Sequence, residues 1–231
     1  MTRDDLIQLV NDQRRDTTAS FVDNDEITRY FNQCLRALQT EHDWDFTQTS
    51  ASFTYASGTS QYALSAIGDG YWKNPIDLFA GYQYHFEFVT PEDFSYLSAQ
   101  SYYVYSTRGD WLLVNNPSNT TQLSAVYYTS AMAKTSGGSW QTGLSAGGDV
   151  PLMPERFQDV LADYALTRIF KKEGLTDDYG ASQTDYERKI RNLKNEYITK
   201  TAKPLRRWRH VSEFATANVR YDRKEDPLRQ V

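Results

Sequence analysis

The sequence predicts an α+β protein: a helical bundle built from both chain ends, an inserted antiparallel β domain and an extended C-terminal arm. Three observations predict it. Residues 154–174 place Phe157, Val160, Leu161, Tyr164, Ala165, Ile169 and Phe170 at helical spacing, which makes one broad apolar face. A helix this apolar needs partners, and the other helical stretches are the first 43 residues and the segment after Gly174. Between them, from Thr47, the hydrophobic period changes to two. The bundle is therefore assigned to residues 1–46 and 154–200, the β domain to 47–153, and the arm to 201–231.

Taken in order, Thr2–Arg14 is a short helix, with Thr2 as cap, Asp4 and Asp5 in its first turn, and Leu6, Ile7, Leu9 and Val10 as its apolar side. Asp16–Asn24 is a loop. Asp23 or Asn24 caps a second helix that runs to about His42, with Ile27, Tyr30, Phe31, Cys34, Leu35 and Leu38 on one stripe. Trp44 and Phe46 follow and seal the bundle end. Ser50–Tyr55 and Gln61–Leu64 are strands around the turn Ser57-Gly58-Thr59-Ser60. Asn74–Phe79 and Tyr82–Phe88 are two more around Gly81, with Tyr82, Tyr84, Phe86 and Phe88 on one face. Thr90-Pro91-Glu92-Asp93 opens a short helix to about Leu97, with Thr90 as cap.

Arg108-Gly109-Asp110 suits a hairpin turn between Tyr102–Tyr105 and Trp111–Val114, and Leu123–Tyr128 is a strong β run. Ala133–Val150 holds Gly137, Gly138, Gly143, Gly147 and Gly148 with few apolar anchors, which predicts an exposed loop or hairpin arm, Gly-rich over 136–148. Pro154 suits the first position of the next helix, Glu155 its positive end, Lys171 and Lys172 its last turn, and Gly174 its left-handed stop. Thr176–Gly180 is predicted to be a loop. Ala181–Lys200 is a helix with Tyr186, Ile190, Leu193 and Tyr197 on one side, ended by Pro204.

Bulk properties narrow the function. No run of 18 apolar residues and no apolar N-terminal segment occurs, so neither a transmembrane helix nor a secretory signal is expected. The single cysteine, Cys34, excludes an internal disulfide framework. Net charge is −5, which argues against free-standing nucleic-acid binding. Residues 203–231 carry eight basic against four acidic residues, leaving 17 basic against 26 acidic elsewhere. A basic tail on an acidic body points to a partner for the tail.

One set of motifs, in one order, resembles a known family. The second helix opens with Phe21-Val22-Asp23-Asn24-Asp25-Glu26-Ile27 and is followed by Asp43-Trp44-Asp45-Phe46. Then come Gln61-Tyr62-Ala63-Leu64, Thr90-Pro91-Glu92-Asp93-Phe94, Tyr102-Tyr103-Val104-Tyr105 and a strand ending in Tyr127-Tyr128. Last is Val150-Pro151-Leu152-Met153-Pro154-Glu155-Arg156-Phe157. Over roughly residues 1–200 this resembles the head–tail adaptor (connector) proteins of tailed bacteriophages. The resemblance implies a structural virion protein at the head–tail junction, made in the host cytoplasm, with no catalysis and no cofactor. It implies a ring of self-associated copies, usually twelve, between the portal protein and a downstream tail protein (nozzle or tail completion). DNA would pass through the ring without specific binding, and no membrane is involved. The Gly-rich stretch and the long arm exceed the minimal family pattern.

His42, His85 and His210 have no metal-ligand spacing. Asp23–Glu26 lacks the calcium-loop pattern and reads as a helix cap. Cys34 lies on the buried stripe, and the glycines of 137–148 lack a phosphate-loop pattern. Asp43 and Asp45 read as solvated caps. Tyr82, Tyr84, Tyr103, Tyr105, Trp111, Tyr127 and Tyr128 offer a stacking platform for a carbohydrate, an alternative function for the β domain; their other reading is a sheet core. The strongest candidate site is the arm: Arg206, Arg207, Trp208 and Arg209, with Val211 and Phe214, predicted to bind the portal. Burying the Trp and Phe would gain about 1.5–3 kcal/mol each, and the arginines suit bidentate contact with carboxylates.

Overall fold

The computed structural model describes residues 1–14, 22–56, 58–81, 84–116 and 121–198. Among the described residues five α-helices and eleven short strands run in the order α1 (Arg3–Gln13), α2 (Asn24–Glu41), β1 (Gln48–Thr54), β2 (Gln61–Ala63), β3 (Trp72–Ala80), β4 (Tyr84–His85), β5 (Glu87–Phe88), α3 (Pro91–Ala99), β6 (Val104–Arg108), β7 (Trp111–Asn115), β8 (Gln122–Thr129), β9 (Ala133–Lys134), β10 (Trp140–Gln141), β11 (Val150–Pro151), α4 (Asp159–Glu173) and α5 (Thr176–Tyr197). The described residues divide into two compact units. The first holds residues up to Thr49, Tyr71–Asn74 and those from Tyr127; the second holds Ser50–Gly70 and Pro75–Val126.

The first unit is organised on α4. Helices α1, α2 and α5 each pack against it. Leu6, Val10, Ile27, Phe31, Leu35, Leu161, Ala165, Ile169 and Leu193 share one core, all fully buried. Each helix start has a local cause. Thr2 Oγ1 accepts the Asp5 N–H at 3.2 Å while the Thr2 N–H donates to the Asp5 carboxylate at 2.8 Å, a reciprocal cap on α1. Those bonds hold the Asp5 carboxyl below its usual range. Asp23 Oδ1 accepts the Glu26 N–H at 2.7 Å and starts α2. Trp44, fully buried, donates its ring N–H to the Leu38 carbonyl at 2.6 Å and stacks on Phe46, closing the C-terminal end of α2.

Two expectations need correction here. Pro154 is not the first residue of α4: it precedes a single 3-10 turn, Glu155–Phe157, and the α-helix begins at Asp159. Residues Thr176–Gly180 are not a loop. Gly174 stops α4 in the left-handed conformation (φ 75°), its N–H bonding the Phe170 carbonyl, and α5 starts two residues later. Asp177 and Asp178 stabilise that start against the helix dipole, and the helix continues through Gly180.

The Gly-rich stretch is also corrected. Strands β10, β9 and β11 form a small antiparallel sheet, and Met132, Ala133, Leu144 and Met153 belong to the helical core. The segment docks on the first unit through Ala133 and Leu144, while its hairpin tip, residues 136–139, is exposed as expected.

In the second unit, β2, β7, β6 and β5 form a sheet in that order. It is mixed, where an antiparallel domain was expected: β5 runs parallel to β6, in the register Glu87↔Val104 and Phe88↔Tyr105, with α3 as the crossover. Thr90 Oγ1 caps α3 through the Asp93 N–H at 3.0 Å. Phe94 and Leu97 of α3 pack on Val104 and Leu113. Arg108 pairs with Trp111, and Gly109 at φ 57° takes the first place of the two-residue turn between them. The remaining sheet has the order β1-β8-β3-β4. The predicted strand Tyr82–Phe88 is broken: buried Phe86 donates to the Leu78 carbonyl, whereas Glu87 donates to Tyr103, so β4 and β5 belong to different sheets.

Candidate assembly surfaces

In the first unit, buried and solvent-facing helix surfaces are fixed by ion pairs around α4. Lys189 of α5 reaches across to two carboxylates of α4, with Nζ 2.5 Å from Asp159 Oδ2 and 2.6 Å from Asp163 Oδ2. Burial opposes the charge on Lys189, but its two acidic partners outweigh that and hold its pKa above the usual lysine value. Asp163 is shifted upward, since its burial outweighs the help from Lys189. Arg14, after α1, pairs with Glu173 at 2.6 Å, and Lys172 donates to Glu26 at 2.9 Å. Lys194 pairs with Glu41. Lys73 places its ammonium on the Gln39 and His42 carbonyls at 2.6 and 2.8 Å and on Asp43 at 2.9 Å, a cation at the negative end of α2.

The Gly-rich segment is held by polar contacts over long sequence distances. Asn32 of α2 accepts from the Leu144 N–H at 2.7 Å and donates to the Leu144 carbonyl at 2.9 Å. A Cβ on Gly143 would stand 2.5 Å from Asn32 Oδ1, so only glycine lets this pairing close. Arg3 donates from its backbone to the Asp149 carbonyl and from its side chain to the Ser145 carbonyl, both at 2.8 Å. The Asp149 carboxylate, 1 % exposed as a residue, accepts the N–H groups of Ser145 and Ala146 at 2.6 and 2.7 Å. Burial opposes its ionisation, yet these bonds prevail and hold its pKa below the usual carboxylate range. Neither Asn32 nor Asp149 stood out in the sequence. The one available signal for Asp149 was an acid directly after two glycines.

The structure sorts the other candidates. Cys34 is fully buried beside Tyr186, and burial pushes its thiol up to about 12, which makes it inert. Asp43 takes part in the Lys73 cluster and accepts from Asn74 at 2.9 Å. Of the aromatic platform, Tyr105 and Tyr127 are core residues, 1 % and 3 % exposed. Trp111 is 47 % exposed at the hairpin tip, and Tyr103 is half-buried against Phe86. The described aromatics therefore do not line up as one open stacking surface. Arg206, Arg207, Trp208, Arg209, Val211 and Phe214 lie outside the described residues. Among the described residues no group of three His, Cys, Asp or Glu side chains is placed to hold a metal ion, and no helix is long and apolar enough to cross a membrane.

What this geometry presents is a rigid scaffold: a closed helical core, a docked glycine segment and two helices, α2 and α5, whose outer faces are exposed. That is the make-up of a structural assembly module. The SU10 adaptor protein family matches residues 1–215, and the chain belongs to this family of phage head–tail adaptors, structural components of the virion. No curated protein matches the chain.

Proposed function

We propose that copies of this chain close into a ring, of twelve, that joins the portal protein to a downstream tail protein and forms part of the DNA channel. Each copy contributes a helical bundle from both chain ends for packing with its neighbours. The C-terminal arm grips the portal through Arg206, Arg207, Trp208 and Arg209, with Val211 and Phe214. The observation that carries this reading is the reach of the family match: it spans the helices and the β strands and runs to residue 215, through the whole of that basic-aromatic stretch. Twelve arms on one symmetric ring act multivalently, so a modest affinity per arm gives a long-lived joint.

The test is co-sedimentation with portal rings of the full chain and of a chain ending at Lys203. Binding by the full chain alone establishes the arm as the anchor. Binding by both moves the contact to the helices. Binding by neither removes the portal reading. The acidic body adds a second element, a lumen that repels DNA and lets it slide. Tight DNA binding by the assembled ring at low salt would sink that element. Among the described residues named for the stacking platform, the carbohydrate-binding alternative keeps Trp111 exposed, and it would return if glycan-array binding were seen and were lost in Trp111→Ala.

A further inference from the structure

The inference concerns the solvent faces of α2 and α5 and rests on the ring reading. Both helices bury one stripe in the common core of the first unit, and each turns its other face to solvent. One stripe of the exposed surface of α2 holds Asp25, Arg29, Gln33, Arg36, Ala37 and Thr40, with exposed Asn24 and Glu41 at the helix ends. No carboxylate occurs between Ile27 and Thr40, and among the described residues neither Arg29 nor Arg36 pairs with an acid. This is a basic stripe on a chain of net charge −5. The outer face of α5 has the reverse order: exposed Asp177 and Asp178, then Ala181, then Asp185, then Arg188. Asp185 and Arg188 form an exposed pair along the helix at 2.8 Å. Gly180 has open space above it. Leu175, at the start of α5, is 44 % exposed.

These two faces match in one antiparallel register. Setting Arg36 against Asp178 places Arg29 against Asp185, because both pairs are seven residues apart, about 10.5 Å along a helix. The same register sets Gln33 against Ala181, one long side chain over one small one. It brings Asp25 within one residue of Arg188. Leu175 then falls between Ala37 and Thr40. A parallel arrangement can also set Arg29 against Asp178 and Arg36 against Asp185, but it places Asp25 beside Gly174 and Arg188 beside Gln39, and so loses the third pair. We infer that α2 of one copy packs antiparallel on α5 of the next, through Arg36–Asp178, Arg29–Asp185 and Asp25–Arg188.

The two patches are different surfaces of the same unit, so the contact is head-to-tail. Such a contact repeats from copy to copy and closes into a ring when the rotation permits. Exposed ion pairs contribute about 0.2–1 kcal/mol each, so the pairing sets partner and register while the number of copies supplies the hold. Where a ring neighbour is absent, the same three charges simply remain solvated.

The experiment introduces Gln33→Cys with Ala181→Cys in phage particles that carry the chain, followed by mild oxidation. Both positions are exposed, and the native Cys34 is buried. The expected result is a covalent ladder of dimers, trimers and higher species. The control Thr40→Cys with Ala181→Cys, displaced by seven residues, lies beyond disulfide reach and gives no ladder. A single band at monomer mass in particles whose ring is visible by electron microscopy overturns this interface and leaves the ring standing. Particles holding the chain as isolated copies overturn both. If the cysteine variant fails to enter particles, charge exchange replaces it. Arg29→Glu with Arg36→Glu should abolish incorporation, and adding Asp178→Arg with Asp185→Arg should restore it. Failure of the second pair to rescue the first overturns the register.

Discussion

Helices α4 and α5, of 15 and 22 residues, are neighbours in one unit, yet they are built for opposite ends. In α4, eight side chains from Val160 to Ile169 are buried, including the polar Asp163 and Thr167. In α5 only Ile190 and Leu193 are buried, Tyr179, Tyr186 and Tyr197 are half-buried, and the exposed residues are charged, polar or small. The first helix is held by packing on three sides; the second is held by one apolar stripe and by lysine contacts to α4 and α2. Stability therefore resides in α4, and α5 leaves one face exposed to solvent.

Substitutions can break or sharpen that contrast. The largest expected effect is Leu161→Ala, at a fully buried position on α4. It should cost about 3 kcal/mol in urea unfolding through lost burial and the cavity left behind; a loss near zero would refute the central place of α4. Lys189→Met should cost about 1–2 kcal/mol at neutral pH, between the exposed-pair and buried-pair ranges because its side chain is 26 % exposed. The sign with pH follows from the upward shift of Lys189: its contribution is full below the ordinary lysine pKa and is lost as pH rises through the shifted one. The variant and the native chain should thus converge in alkaline solution. Asp163 adds an opposite trend in acid: its pKa is raised in the folded state by burial, so protonation relieves the variant as pH falls. Unfolding midpoints measured across pH would show both arms.

Two glycines give a finer test. Gly143→Ala should lower stability by about 1–2 kcal/mol, because Asn32 is held by two hydrogen bonds and cannot step aside. Gly180→Ala, with nothing within 4 Å and a helical backbone, should raise it by about 1 kcal/mol. If Gly180→Ala instead destabilised the isolated chain, the outer face of α5 would not be free. The smallest effect is expected for Arg188→Ala, within about 0.5 kcal/mol for the isolated chain, since its pair with Asp185 is exposed.

How much of this was legible in the sequence depended on whether the cause was local. Caps at Thr2, Asp23 and Thr90, the stripe of α2 and the stop at Gly174 are decided by neighbours within four residues, and each was readable. The break at Phe86 was not, because alternation of period two continues unchanged when a chain leaves one sheet for another. The glycines of 136–148 announced the exposed hairpin tip but not the docking at Leu144. The residues that dock the segment, Asn32 and Arg3, lie more than a hundred positions away. The loop reading of 176–180 gave Gly180 too much weight and the two aspartates before it too little. The arm residues proposed to bind the portal, Arg206, Arg207, Trp208, Arg209, Val211 and Phe214, stand outside the described residues, so that proposal rests on residue type and on the family match.

The docking of the Gly-rich segment onto α1 and α2 has a consequence for how the chain is made. The apolar sides of α1 and α2 emerge first from the ribosome, but their partners Leu144, Leu161 and Ile169 come far later. At about 5–20 residues per second, the interval between Val10 and Ile169 is about 8–30 s. Over that time the two helices have no core to join. The parallel pairing of β5 with β6 spans less than twenty residues and is complete well before then. Synthesis thus delivers the β unit early and the helical unit last, and the surfaces used in assembly exist only once nearly the whole chain has been translated.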